Sequence, residues 1–200
     1  MYKQLSDKIT GGMIEHDLIE STQKETYCYG LEILMAGIVN IITTIAISVF
    51  FGEIVSGLLF LAVYIPLRIY SGGYHASTEL RCYLLSVLTL LIFLSAIKLI
   101  PDGLYLTLAV VFTVVSSLII LVLAPVGTPN KMLDNLEILV YRKRGRIIMA
   151  IEVLIFVSLL IVGEEKLAFS VGCSFLAIAI MLVIGKLVIV YAMLTAKHSV

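Results

Sequence analysis

Charged residues are scarce in this sequence. Only 14% of its 200 residues are Asp, Glu, Lys or Arg, whereas 60% are hydrophobic. A soluble domain carries about a quarter charged residues, and a single water-soluble core could not hide this much apolar surface. The chain is therefore predicted to be an integral membrane protein. Its formal net charge is zero, so no nucleic-acid partner is expected.

Cysteine is also rare. Cys28, Cys82 and Cys173 are widely spaced and odd in number, so they do not indicate a disulfide framework. The sequence has no Cys/His cluster typical of a metal site, and neither a metal nor a cofactor is expected. The first 30 residues mix acidic, basic and apolar side chains, which does not fit an ordinary secretory signal peptide.

Long apolar segments fill most of the remaining sequence. A helix that crosses a bilayer needs about 20 such residues, and the segments that qualify are 31–51, 53–67, 83–100, 103–124, 147–163 and 167–196. The second is short enough that it could cross steeply or enter only partway. The expected fold is all-α, a polytopic membrane protein with about six transmembrane helices. Residues 31–200 are expected to form a single transmembrane domain with loops at 68–82 and 125–146, and residues 1–30 an amphipathic N-terminal segment.

The N-terminal segment is predicted to contain a helix on the membrane surface. Ser6 is a possible N-cap. A loose apolar stripe is formed by Leu5, Ile9, Met13 and Leu18. Such a helix can lie in the membrane interface.

Basic residues are unevenly divided between the connections. They lie before the first span, in the loop after the second span, in the loop at 125–146 and in the C-terminal tail. The other connections are acidic, with Lys166 as their only basic residue. The positive-inside rule therefore predicts that both termini and the two basic loops lie in the cytoplasm.

Three further charges fall in or near the predicted spans, and Glu32 opens the first of these spans. Glu152 lies in the fifth span and Lys186 in the sixth, and an ion pair between them is predicted because charges inside a bilayer are usually paired or functional. Lys98, near the outer end of the third span, is expected to extend toward the membrane surface.

The stretch IYSGGYHASTELRCY, residues 69–83, interrupts the apolar pattern. Its two glycines allow a sharp turn, and Ser77 or Thr78 can cap the helix that follows. Cys82 then lies near the end of the first helical turn, where the helix N-terminus favours a thiolate. A bend at the glycines would bring His75 back to Cys82 as base and nucleophile. The alternative is that an isolated His and Cys in a loop have no catalytic role.

The same stretch resembles the signature of the accessory gene regulator B family. The similarity covers Arg68, Gly73, His75, Ala76 and Cys82, with apolar spans on both sides. The segments YCYGLEIL (residues 27–34) and APVGTPNK (residues 124–131) also resemble the family, so the likeness extends over nearly the whole chain. The resemblance implies a bacterial membrane peptidase that processes quorum-sensing propeptides.

The resemblance also implies roles for single residues. Cys82 would attack the peptide bond before the acidic C-terminal tail of a propeptide, with His75 as base and then acid. A thioester would form, and a nucleophile inside the substrate would convert it to a thiolactone or lactone. Arg68 would anchor the loop at the membrane or bind a substrate carboxylate, and Gly73 would shape the turn. A homodimer is expected, for which the sequence offers the small residues Ala36, Gly37, Gly172 and Gly185 as possible packing positions.

Several points remain open. The 125–146 loop, with Asn130, Lys131 and a basic run, could contact phospholipid or dock the acidic tail. A third catalytic residue is not identified, and the polar candidates are Glu79, Asn130 and Asp134. The alternatives to a peptidase are a small peptide transporter, with Glu152 and Lys186 along its path, and a noncatalytic membrane subunit.

Overall fold

The computed structural model describes residues 3–74, 76, 78–127 and 133–198. The helices in these ranges are α1 (Lys3–Glu15), α2 (Lys24–Phe50), α3 (Ile54–Ser71), α4 (Glu79–Leu99), α5 (Tyr105–Leu123), α6 (Asn135–Val162) and α7 (Glu165–His198). Short 3₁₀ turns at Ser21–Gln23 and Asp102–Leu104 lead into α2 and α5.

Helices α2 to α7 are long and apolar enough to cross a membrane, which gives six spans in the described part of the chain. The prediction of an all-α polytopic membrane protein is therefore confirmed. The short second segment becomes the 18-residue helix α3, which at 1.5 Å per residue is about 27 Å long. This length is close to the hydrocarbon thickness of about 30 Å, so α3 is long enough to span.

Two helices begin earlier than the sequence predicts. Helix α2 starts at Lys24 rather than at residue 31. Helix α6 starts at Asn135, well before residue 147, because Asp134 caps it by accepting a hydrogen bond of 2.7 Å from the Glu137 N–H. The basic run Arg142–Arg146 therefore lies on the first turns of α6, and the predicted 125–146 loop is wrong in this part.

Helix α7 is the centre of the bundle and contacts α3, α4, α5 and α6. Apolar burial drives helix association weakly in a bilayer, so close packing of small residues matters more. A Cβ atom at Gly172 would lie 3.0 Å from the Ala109 carbonyl oxygen of α5, so α5 and α7 are in backbone contact there. Gly185 is equally enclosed, by Gly73 and Tyr74. Both glycines, which the sequence offers as possible dimer packing positions, therefore pack within the chain.

Serine hydroxyl groups and the small residue Gly57 hold α3 to its neighbours. The Ser174 hydroxyl of α7 donates a hydrogen bond of 3.0 Å to the Phe60 carbonyl oxygen of α3. A Cβ atom at Gly57 would overlap the Ser48 side chain, so α2 and α3 also approach closely. These contacts of α3 with α2 and α7 thus involve no charged residues.

A cluster of charges ties three helix ends together at one end of the bundle. The carboxylate of Glu53, between α2 and α3, lies 2.9 Å from the Lys98 ammonium of α4 and 2.5 Å from the Lys166 ammonium of α7. We call these three residues the clasp. Glu53 is only 7% exposed. Burial would raise the pKa of its carboxyl, but hydrogen bonds from Lys166 and Lys98 outweigh it and lower that pKa.

Helix α1 packs its polar face, not its apolar stripe, against α2. Ser6 and Thr10 are fully buried, whereas Leu5 is 52% exposed. The sequence predicts Ser6 as the N-cap, but the helix already begins at Lys3, so Ser6 lies within α1. The exposed apolar side of α1 is available to a membrane surface, where the helix is predicted to lie.

The predicted ion pair between Glu152 and Lys186 is absent. Glu152 is 4% exposed, and neither of its carboxylate oxygens has a hydrogen-bond partner in the described structure. Lys186 is exposed on α7. The two side chains lie on different faces of their helices, which the sequence positions alone could not show.

Candidate active site

The turn after α3 is shaped by two glycines with positive φ angles. Gly72 has φ of 69° and Gly73 has φ of 109°, which are backbone conformations that glycine adopts without strain. A Cβ atom at Gly73 would lie 2.8 Å from the Met181 carbonyl oxygen of α7. The close approach of the turn to α7 therefore also requires glycine.

Backbone hydrogen bonds fix this turn on both sides. The Gly73 N–H donates to the Val126 carbonyl oxygen at 3.0 Å, and the Val126 N–H donates to the Ser71 carbonyl oxygen at 2.9 Å. The Tyr74 N–H donates to the Met181 carbonyl oxygen at 2.8 Å. The turn thus connects α3 to the segment after α5 and to α7.

The side chain of Arg68 also holds this turn in place. Its guanidinium donates hydrogen bonds to the carbonyl oxygens of Gly72 and Tyr74. The planar guanidinium can donate in two directions at once, which a lysine ammonium cannot do in the same geometry. Arg68 therefore stabilises the turn, a role that the sequence did not predict. Recognition of a substrate carboxylate by Arg68 stays a prediction.

Cys82 lies in the first turn of α4. Thr78 is the N-cap, as one of the two sequence alternatives proposed, and its hydroxyl accepts a hydrogen bond of 3.3 Å from the Arg81 N–H. The Cys82 N–H donates to the Thr78 carbonyl oxygen at 3.0 Å. The thiol is half-buried.

Cys82 opens into a cleft between α2 and α4 with a volume of about 390 Å³. We call it the α2–α4 cleft. It is lined by Tyr29, Glu32, Ala36 and Asn40 of α2, by Thr78, Glu79, Cys82 and Tyr83 around the start of α4, and by Ala76 of the turn. A cleft of this size can hold a short peptide segment next to the thiol.

Three predicted site residues lie outside the described residues: His75, Asn130 and Lys131. The neighbours of His75 are described. Tyr74 is bonded to α7, and Ala76 lines the α2–α4 cleft. The structure therefore places Arg68 and Gly73 at the turn, and Cys82 in the first turn of the helix that follows it.

The described candidates for a third catalytic residue lie in different parts of the structure. Glu79 lines the α2–α4 cleft, whereas Asp134 caps α6. Glu32 also lines this cleft, opposite α4, although the sequence pattern did not predict it as a site residue. Its position within the family-like segment YCYGLEIL was a signal, but only the packing of α2 on α4 shows that it lines the same cleft as Cys82.

The other two cysteines have different surroundings. Cys28 is buried, with its sulfur 3.0 Å from the Ser6 hydroxyl and 3.5 Å from an Asp7 carboxylate oxygen. Cys173 lies in the first third of α7 and packs against the apolar core. Cys82 differs from both because it lies at a helix N-terminus in an open cleft.

The basic residues of α6 lie at the same end of the bundle as the turn. The Arg144 guanidinium lies 5.9 Å from the centre of the Tyr70 ring, close to the end of α3. Arg142, Lys143 and Arg146 are exposed on the same helix turns. A positive surface therefore adjoins the turn that carries the candidate site.

The fold and the cleft define a class: a polytopic membrane protein with a cysteine in a cleft at the end of its helix bundle. The family model for accessory gene regulator B matches residues 6–194. The chain belongs to this family, which takes part in processing the propeptides of bacterial quorum sensing. No curated protein and no solved structure matches the chain.

Proposed function

We propose that this protein is a cysteine endopeptidase and peptide cyclase. Its substrate would be a signalling propeptide with an acidic C-terminal tail, and its product a thiolactone or lactone. The observation that carries the proposal is the position of Cys82, at the N-terminus of α4 and in the α2–α4 cleft beside the turn that leads to His75.

The proposed reaction begins with attack by Cys82 on the peptide bond before the tail. His75 takes the thiol proton, and the sulfur bonds to the carbonyl carbon. Backbone N–H groups in the first turn of α4 would stabilise the oxyanion. His75 then gives its proton to the leaving nitrogen as the C–N bond breaks. The tail leaves with a new amino terminus, and the rest of the substrate stays on Cys82 as a thioester.

The second half of the reaction releases the ring. A thiol or hydroxyl inside the bound substrate attacks the thioester carbonyl and passes its proton through His75 to the departing Cys82 sulfur. For a thiol the exchange is nearly isoenergetic, so competing hydrolysis must be limited by excluding water. The cleft between two apolar helices suits that requirement.

The basic start of α6 is the proposed docking surface for the acidic tail, together with Asn130 and Lys131. The exposed side chains of Arg142, Lys143 and Arg146 support this role. We also propose that the site and both termini face the cytoplasm, and that the protein works as a homodimer in the bilayer. Of the small residues suggested for a dimer contact, Gly37 has open space at its Cβ position.

A covalent-trapping experiment tests the proposal. Purified protein in lipid vesicles is mixed with the propeptide encoded by a neighbouring short gene, and mass spectrometry follows the released tail and the Cys82 peptide. We expect tail release and a thioester on Cys82. Cys82→Ala should show neither, whereas the control Cys173→Ala should show both. Tail release by Cys82→Ala would contradict the proposal.

A peptide transporter is the second candidate. It is favoured by the buried carboxylate of Glu152, because an unpartnered ionisable group within a span often marks a transport path. The same vesicles decide between the two functions. A transporter would move intact propeptide across the bilayer without releasing the tail.

A further inference from the structure

Asn40 of α2 lies at the same end of the α2–α4 cleft as Cys82. Both residues line the cleft together with Tyr83, which follows Cys82 directly in α4. The Thr43 hydroxyl, nearly one helical turn beyond Asn40, lies 3.0 Å from the Tyr83 hydroxyl. This contact joins α2 to α4 and therefore closes the cleft at the end that holds Asn40 and the thiol.

The side chain of Asn40 is held in a defined orientation. Its amide donates a hydrogen bond of 2.9 Å to the Ala36 carbonyl oxygen, one turn earlier in α2. A primary amide has a second N–H and a carbonyl oxygen, and neither group is bonded to another described residue. A buried amide without partners is unfavourable. The half-buried Asn40 side chain therefore offers the cleft one donor and one acceptor, which complement the C=O and N–H of a peptide chain.

The cleft has the length of a short extended peptide. Its lining on α2 runs from Tyr29 to Asn40, which corresponds to about 16 Å along the helix axis. An extended chain rises about 3.3 Å per residue, so the cleft accommodates about five residues. A peptide segment can therefore lie along α2 and reach Cys82 at the closed end.

The charges of the cleft indicate which part of a propeptide it fits. The described residues that line it include Glu32 and Glu79 and no lysine or arginine. An acidic tail does not suit such a lining, whereas the exposed basic residues at the start of α6 attract it. The segment that fits the cleft is the one before the scissile bond, which remains on Cys82 as the thioester.

We propose that the α2–α4 cleft binds the ring-forming segment of the propeptide in an extended form, and that Asn40 is the substrate-binding residue that holds its main chain beside Cys82. The identity of this ligand rests on the proposed peptidase function. Because an amide bonds to main-chain groups, Asn40 recognises the chain irrespective of its side chains. It thereby sets the register in which the segment meets the thiol.

A protection experiment measures this binding without the peptidase reaction. The protein in lipid nanodiscs is treated with iodoacetamide, and peptide mass spectrometry follows the alkylation of Cys82. Two probes come from the propeptide encoded by a neighbouring short gene. One is the segment directly before its acidic C-terminal run, with serine in place of cysteine and an amidated C-terminus, and the other is the acidic run alone. We expect the first probe to slow alkylation in a saturable manner and the second to have no effect.

The test variant is Asn40→Leu, which removes the amide, keeps a similar size and suits a membrane helix. We expect the probe concentration for half-protection to rise about 10-fold, the effect of about one net hydrogen bond. Asn40→Gln keeps an amide and should recover part of the affinity. The matched control is Thr89→Val in α4, outside the cleft, which removes the hydrogen bond of 2.8 Å from the Thr89 hydroxyl to the Leu85 carbonyl oxygen. It should leave protection unchanged.

Tail release provides a second measurement. Asn40 holds the same segment before and during the reaction, so Asn40→Leu should raise KM about 10-fold and change kcat much less. The oligomeric mass in detergent should equal that of the wild type, since the proposed role of Asn40 lies within one chain.

Several outcomes would overturn the inference. They are equal protection in wild type and Asn40→Leu, an equal loss in Thr89→Val, and protection by the acidic run instead of the preceding segment. A loss of affinity with a changed oligomeric mass would place Asn40 at a contact between copies and also overturn it. If the wild-type protein releases no tail while the segment still protects Cys82 through Asn40, the proposed function fails and the binding site stands.

Discussion

The two ends of the helix bundle are held together in different ways. At one end, the clasp uses charged side chains, with Glu53 bonded to Lys98 and Lys166. At the other end, the turn at Gly72–Tyr74 is held through main-chain atoms, by Val126, by Met181 and by the Arg68 guanidinium. Main-chain bonding fixes the turn and leaves its other side chains available for chemistry.

This difference implies different consequences of mutation. The turn needs glycine at two points, and it meets α7 where Gly185 leaves room for its backbone. A small change there displaces residues next to Cys82. The clasp, by contrast, lies at the far end of α3 and α4, so its loss should affect stability more than activity.

The largest expected effect is at the candidate catalytic pair. Cys82→Ala and His75→Ala should each lower tail release by about 10³-fold or more, because each removes a part of one chemical unit. The double variant should be little slower than either single variant. The measurement is single-turnover tail release in vesicles. Independent, multiplying losses would show that the two residues do not act together.

The next largest effect is expected for Gly73→Ala. Alanine at φ of 109° is strained, and its Cβ would contact the Met181 carbonyl oxygen at 2.8 Å. We expect tail release to fall at least about 10-fold, since a small misplacement of catalytic groups has a large cost. Gly103→Ala, at the other end of the bundle, is the control, because nothing lies within 4 Å of a Cβ atom there. Equal activity of the two variants would mean that the turn tolerates displacement.

A smaller effect is expected for Arg68→Lys. Lysine keeps the positive charge that the topology requires, but it cannot bond the Gly72 and Tyr74 carbonyl oxygens in the same fork geometry. We expect kcat for tail release to fall several-fold, with normal membrane insertion. Lys24→Arg, at the exposed start of α2, is the control and should leave kcat unchanged. If Arg68→Lys instead raises only KM, substrate binding is the main role of Arg68.

The sequence predicts the membrane spans well because a helix must be apolar where it crosses the hydrocarbon core of a bilayer. It misplaces the start of α6 because a helix can continue into water, where basic residues such as Arg142 do not end it. The motif locates Cys82, Gly73 and Arg68, but not what Arg68 contacts. The clasp joins Glu53 to lysines 45 and 113 positions away. Like the place of Glu32 in the α2–α4 cleft, these contacts depend on how the helices pack against one another, which the sequence pattern does not show.

The smallest effect is expected at the clasp. Loss of its charged contacts should lower stability and leave activity unchanged. The lowered pKa of Glu53 means that its contribution to stability is present above the ordinary value of 4.5 and is lost as pH falls through the lower folded-state pKa. Glu53→Gln should lower Tm in detergent by about 2–4 °C at pH 7, because the half-exposed lysines are screened by solvent. The difference from wild type should shrink below pH 4.5, while tail release at pH 7 stays normal.

The control is Glu164→Gln, which changes an exposed carboxylate between α6 and α7 and should show no such change. A loss of activity in Glu53→Gln without a loss of stability would show that the two ends are coupled, and the separation of roles drawn between them would be wrong.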